Sequence, residues 1–202
     1  MLKKFLSLFC TNCAGQGVPS LGIGKKTVIA LVTMGMYMLP HAAAAQSMTY
    51  VTDKDVQVAV RTFGFVYGMP KGDIAIEIVY DPGNEVSTSE ANKLKQIIGN
   101  GNMFANRKVT AKMVPVSEMG STDSRLVYIT HGLQTEYSAL LEKAKSKKLL
   151  TFSTDFQCVN SQKCVMGVEA DPNINIEISR SASAASDLEF SQALKLMIRE
   201  VE

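Results

Sequence analysis

The chain has 202 residues, 46% of them hydrophobic and 20% charged, with a formal net charge of +2. That composition is globular and argues against a disordered, collagen-like or multi-pass membrane chain. The charges of residues 1–45 are four lysines, which leaves 17 bases against 19 acids in residues 46–202. This slightly acidic body has no clustered Lys/Arg with aromatics between them, so nucleic acid is not an expected partner.

In chain order the first element is an export signal. Lys25-Lys26 precedes Thr27 to Leu39, a mostly apolar run of thirteen residues; Pro40-His41 breaks it, and Ala42 to Ala45 offers small residues for cleavage before Gln46. Positive, apolar and small-residue regions in that order predict a secretory signal peptide over 1–45, with an extended n-region, cleaved near Ala45/Gln46. The run is shorter than the roughly 20 residues a membrane span needs. Cys10 and Cys13 lie upstream of the signal and leave with it. The exported 46–202 segment then keeps two cysteines, Cys158 and Cys164. An even pair in an exported chain reads as a local disulfide, with a redox-sensing role as the alternative.

A helix is expected from Asp53 to Tyr67, capped by Thr52 or Asp53, with Val56, Val60, Phe63 and Tyr67 at helical spacing. Residues 73–80 read as a strand stopped by Asp81-Pro82-Gly83, and a second helix runs from Ser87 or Ser89 to Ile98 with Ala91, Leu94, Ile97 and Ile98 inward. Val109 to Val116 is a strand with Pro115 at an edge or terminal position. Leu126 to Ile129 is the candidate central strand. A helix over 135–148 gathers lysines at its C-terminal end, where they suit the helix dipole as a solvated terminus. Strands follow at 149–153, 165–168 and 173–179, the last two around the turn Asp171-Pro172. A final helix is expected from Ser183 or Ser186, with Leu188, Phe190, Leu194, Met197, Ile198 and Val201 apolar. The alternation predicts one three-layer α/β/α domain over 46–202. Its sheet is mostly parallel, with an antiparallel element near the C-terminus.

The sequence offers little catalytic chemistry. His131, the one histidine of the exported segment, lies where a strand should end and a helix follow, the side on which open α/β sheets bind ligands. It reads either as a small-molecule contact or as a polar turn residue. No G-x-S-x-G elbow or calcium loop occurs, transition-metal ligands are too few, and Gly99-Asn100-Gly101-Asn102 follows a helix where a phosphate loop would precede one. The acid pairs Asp53/Asp55 and Glu200/Glu202 are expected on solvated helix ends. No cofactor, metal or enzymatic activity is expected.

Several segments together resemble the YfiR-like family. Ile174 to Arg180 followed by Ala184 to Leu196 resembles that family's closing strand and alanine-rich helix. Val58 to Phe63 with Phe65-Val66 is similar to its first helix, Leu126 to Thr130 to its central strand, and Leu150 to Phe156 to its "L-T-V-S-D" strand, which in some members precedes a cystine like Cys158–Cys164. The resemblance runs in order over most of residues 50–202. Gly68-Met69-Pro70 replaces the usual tryptophan–proline, and only Gly167 remains of the paired glycines after the cystine. The resemblance implies a periplasmic, non-enzymatic, commonly dimeric protein that binds and represses the periplasmic sensor region of an inner-membrane diguanylate cyclase. In such a protein the segment 156–168, with Phe156 and Met166, is the place for partner contact. The alternative is a periplasmic small-solute-binding component of a transport system, with His131 and Asp155 near strand C-termini as ligand contacts.

Overall fold

The computed structural model describes residues 50–202; the expected signal peptide, its cleavage point and the Cys10/Cys13 pair lie outside the described residues. Helix α1 (Asp53–Phe63) opens with a full capping box, Thr52 accepting from the Asp55 backbone N–H and the Asp55 carboxylate accepting from that of Thr52. Strand β1 (Ile74–Tyr80) leads through an Asx turn at Asp81 into α2 (Glu85–Ile98), capped by Asn84. A hairpin of β2 (Met103–Phe104) and β3 (Arg107–Pro115) follows, then a single 3-10 turn at Val116–Glu118. Next come β4 (Leu126–Ile129), α3 (Tyr137–Lys147), β5 (Leu150–Ser153), the short α4 (Phe156–Asn160), β6 (Met166–Glu169) and β7 (Asn175–Ser179). Two short helices, α5 (Arg180–Ala185) and α6 (Gln192–Lys195), and β8 (Arg199–Val201) complete the described chain.

The eight strands form one sheet in the order β2-β3-β1-β4-β5-β6-β7-β8. β6–β7 and the β2–β3 hairpin are antiparallel and the other pairings parallel. Its alternating side chains feed two cores. Val56, Val60 and Phe63 of α1 and Leu94 and Ile98 of α2 cover one face, and Tyr137, Leu140, Ala144, Cys158 and Val159 of α3 and α4 cover the other. The fold is the expected three-layer α/β/α domain. Leu126–Ile129 is central and buried on both faces, as its continuous apolar run requires. No helix among the described residues is long and apolar enough to cross a membrane.

Four expectations are corrected. Helix α1 stops at Phe63, because Gly64 caps it and residues 65–67 pair with 189–191 instead: Tyr67 N–H donates to Glu189 O, Ser191 N–H to Phe65 O, and Val66 bridges Phe190. The expected C-terminal helix is broken. Asp187 adopts a left-handed φ of 53°, Ser191 caps a new short helix, and residues 199–201 join β7 as a parallel edge strand. Met197, on the expected apolar stripe, is exposed, and so is its neighbour Leu196. Of the acid pairs, Asp53, Glu200 and Glu202 are exposed as expected, but Asp55 is buried and also accepts from the Ala170 N–H at 2.7 Å, and Glu200 lies on strand β8. Nor is the lysine-rich end of α3 a bare solvated terminus. Lys143 donates to Ser117 O at 2.8 Å, Lys147 to Gly120 O at 2.5 Å, and Lys148 pairs with Asp187.

Those lysines tie α3 to a loop that a buried carboxylate also holds. Glu77, in the middle of β1 and fully buried, accepts from Gly120 N–H and Thr122 Oγ1, each at 2.5 Å. A carboxylate inside a strand is tolerable only with such charge-assisted partners.

Candidate functional site

The chain leaves β1 towards β3 on one side, while β4 continues to β5 on the other. The C-terminal ends of β1 and β4 therefore part, which is the switch point where α/β sheets open a crevice. Three contacts build this end. Ser87 Oγ and Thr130 Oγ1 lie 2.6 Å apart, Thr130 Oγ1 donates to Val79 O at 3.0 Å, and Asn84 Nδ2 donates to Gly132 O at 3.3 Å. Gly132 has φ +84°, and a Cβ there would lie 2.7 Å from Asn84 Nδ2, so both conformation and space demand glycine.

His131 stands between these fixed residues, and its partner comes from α2. The Glu90 side chain is fully buried. It accepts from the His131 backbone N–H at 2.7 Å, the Tyr128 hydroxyl at 2.5 Å and Thr154 Oγ1 at 3.2 Å, and it lies 3.0 Å from His131 Nδ1. Burial, reinforced by the Glu90 charge, pushes the Tyr128 hydroxyl well above its ordinary pKa, so it stays a neutral donor. For His131, burial pulls the imidazole pKa down, but the hydrogen bond and charge of Glu90 and the charge of Asp155 outweigh it, and the pKa is raised.

An open cleft of about 400 Å³ adjoins this pair, lined by Tyr50, Thr52, Asp55, His131, Thr154, Glu169 and Asp171. It lies where β4, β5 and β6 end and α1 begins. The Tyr50 ring rests on the imidazole with centroids 4.4 Å apart, and Lys54 approaches Asp171 at 3.5 Å on the rim. No group of three or more His, Cys, Asp or Glu among the described residues could hold a metal ion.

The other expected site residues have structural positions. Asp155 is buried and caps α4 through the Gln157 N–H at 2.9 Å; it also accepts from the Tyr137 hydroxyl at 2.5 Å and Gln134 Nε2 at 3.3 Å. Burial and then Asp155 push the Tyr137 hydroxyl pKa up. Its carboxylate reaches His131 only as a charge. Phe156 is half-buried, its ring laid over Gly167, where a Cβ would come within 3.0 Å of it. Met166 is fully buried in the α1-side core, out of a ligand's or partner's reach. Cys158 and Cys164 form a disulfide with Cα atoms 5.2 Å apart, both buried in the α3/α4 core. The exposed part of the 156–168 segment is polar: Gln157, Asn160, Ser161 and Gln162.

Glu90, Tyr128, Thr154 and Tyr50 went unread in the sequence. The signal available was Glu90 itself. Ser87, Glu90, Ala91, Leu94 and Ile98 share the buried face of α2, and a carboxylate on an inward stripe requires donors from elsewhere.

No protein-family model matches the chain, and no curated protein matches it. Among solved structures it is similar to a conserved domain protein from Vibrio cholerae O1 biovar El Tor str. N16961, with a TM-score of 0.52 at 13% identity. The likeness covers 74% of this chain and spans 60% of the length of that one. At that identity the shared property is the fold.

Proposed function

We propose that this protein is an exported, periplasmic regulator of the YfiR type. It binds the periplasmic sensor region of an inner-membrane diguanylate cyclase as a homodimer and lowers cyclic-di-GMP synthesis without catalysis of its own. Binding only the inactive conformation of the cyclase shifts its population by differential affinity. The observation that carries the reading is the cystine that follows the Leu150-to-Phe156 segment. Cys158–Cys164 closes α4 onto β6 at the position the resemblance implies, and such a buried disulfide suits an oxidising compartment. Exposed Phe65, Tyr67, Leu196 and Met197 supply apolar surface for a protein partner, and the polar face of α4 supplies its rim.

In-cell crosslinking of the tagged protein followed by mass spectrometry tests this. The expected capture is a membrane protein with a periplasmic sensor region and a cytoplasmic cyclase domain, and deletion of the gene should raise cellular cyclic-di-GMP. Capture of a transporter permease, with cyclic-di-GMP unchanged on deletion, would replace the reading. The cleft beside His131 favours that second reading, a periplasmic small-solute-binding component, because it is a concavity at the ligand side of the sheet beside a buried polar network.

A further inference from the structure

We propose that the cleft at the ends of β4, β5 and β6 binds a small organic cation carrying a primary ammonium group, with His131 Nε2 as its fixed acceptor. The inference goes beyond the regulatory reading and does not depend on it.

Three properties carry it. The first is orientation. Glu90 holds His131 at Nδ1 from a fully buried position, His131 lines the cleft with its side chain partly exposed, and no described residue hydrogen-bonds Nε2. A carboxylate that keeps a proton on Nδ1 leaves Nε2 with a lone pair, the acceptor an ammonium N–H requires. The His131 backbone N–H, the Tyr128 hydroxyl and Thr154 Oγ1 hold that carboxylate in turn, so the imidazole is set before any ligand arrives.

The second is the sign of the charge. Asp55, Glu169 and Asp171 face the cleft, opposed by Lys54 on the rim and at most one charge on His131. The Asp55 oxygens are taken by Thr52 and Ala170, so it contributes field alone, whereas Glu169 and Asp171 are exposed carboxylates able to receive donors. The third is size and lining. About 400 Å³ falls within the roughly 300–1,000 Å³ of small-molecule pockets, and Tyr50 and Thr52 complete the wall beside His131.

Binding of this kind expels a proton. Protonated His131 presents an N–H and a positive charge to the ligand; neutral His131 presents a lone pair. The groups facing the imidazole are Glu90 from α2, Tyr128 from β4, Asp155 after β5, Tyr50 beside α1, and Asp55, Glu169 and Asp171 across the cleft. The Tyr128 hydroxyl stays protonated, and the proton that blocks the Nε2 acceptor is the one on His131, so the proposal assigns the pH dependence of binding to that imidazole.

Titration calorimetry of the purified protein with 1,4-diaminobutane tests the proposal, with 1,4-butanediol and succinate as neutral and anionic probes of matched length. Saturable binding of the diamine alone is expected, its affinity rising by up to about tenfold per pH unit below the His131 pKa and levelling above it. His131→Asn should remove the pH dependence. The surface pair Glu169→Gln/Asp171→Asn should weaken binding about tenfold at every pH while leaving the melting temperature unchanged. Succinate binding in place of the diamine, binding indifferent to both sets of substitutions, or no saturable heat at millimolar diamine would each overturn it. None of these outcomes bears on whether a cyclase is captured in the cell, so the two readings fail separately.

Discussion

Replacing Glu90 separates the two forces acting on His131. In the native chain the imidazole pKa is raised, so the folded state holds its proton more tightly than the unfolded chain, whose value is about 6.5. That contribution to stability is fully present below the unfolded value and is lost as pH rises through the folded one. Glu90→Gln keeps the shape of the side chain and removes the charge. Burial, the largest influence on His131, then outweighs the charge of Asp155, and the pKa falls below its ordinary value. The stabilising form becomes the neutral imidazole, whose contribution is present at high pH and lost on acidification. The pH slope of stability through the histidine range should therefore reverse sign between the native chain and Glu90→Gln. Glu90→Ala goes further and leaves both His131 donors without their acceptor, and Tyr128 and Thr154 with only each other at 2.8 Å. Breaking a buried charged set costs about 3–5 kcal/mol, and for a domain of this size that lowers Tm on the order of 10 °C. Urea unfolding at stepped pH, with NMR titration of the His131 ring, gives both quantities. An unchanged His131 pKa in Glu90→Gln would refute the assignment of the raised value to Glu90, and a loss below about 1 kcal/mol in Glu90→Ala would refute the burial argument.

Further substitutions test the packing around the site. Gly167→Ala sets a Cβ 3.0 Å from the Phe156 ring and 3.1 Å from Val159 Cγ2, so it should destabilise by about 1–3 kcal/mol, measured by chemical denaturation. A Phe156→Ala background should relieve much of that loss. Ser186 is fully buried with its hydroxyl unpartnered, so Ser186→Ala should be neutral or stabilising by about 1 kcal/mol in the same assay. Replacing Cys158 and Cys164 together by serine releases a short loop and should cost about 2 kcal/mol in the chain-entropy account, with added cost for hydroxyls in an apolar core. Identical melting of the native protein with and without reductant would refute that cost.

Legibility in the sequence followed the range of the forces involved. The parallel strands at 74–80, 126–129 and 150–153 were readable because burial on both faces writes itself as a continuous apolar run. The β2–β3 hairpin was not. Its turn places Ala105 and Asn106 at φ 48° and 62°, and an alanine gives no sign of a left-handed residue. The last segment fits a helical stripe by spacing, and competition for the sheet edge decided it. Glu177 on β7 is buried and pairs with Arg199 at 2.8 Å, so joining β8 supplies both backbone partners and a counter-charge that a helix there would forgo. The site divides the same way. His131 was found from its place at a strand end, but its partner lies 41 residues earlier on another element, a distance no local pattern spans. What could have joined them is the carboxylate's own need. Glu90 sits among Ser87, Ala91 and Leu94 on the inward face of a helix that follows β1, and right-handed crossovers bring such a face over neighbouring strands. Its donors must then come from the strand ends beside it. In residues 46–202 the single imidazole stands at such an end, next to a glycine that lets the chain turn tightly there. A buried acid and a strand-end histidine with no visible partners are each other's simplest solution.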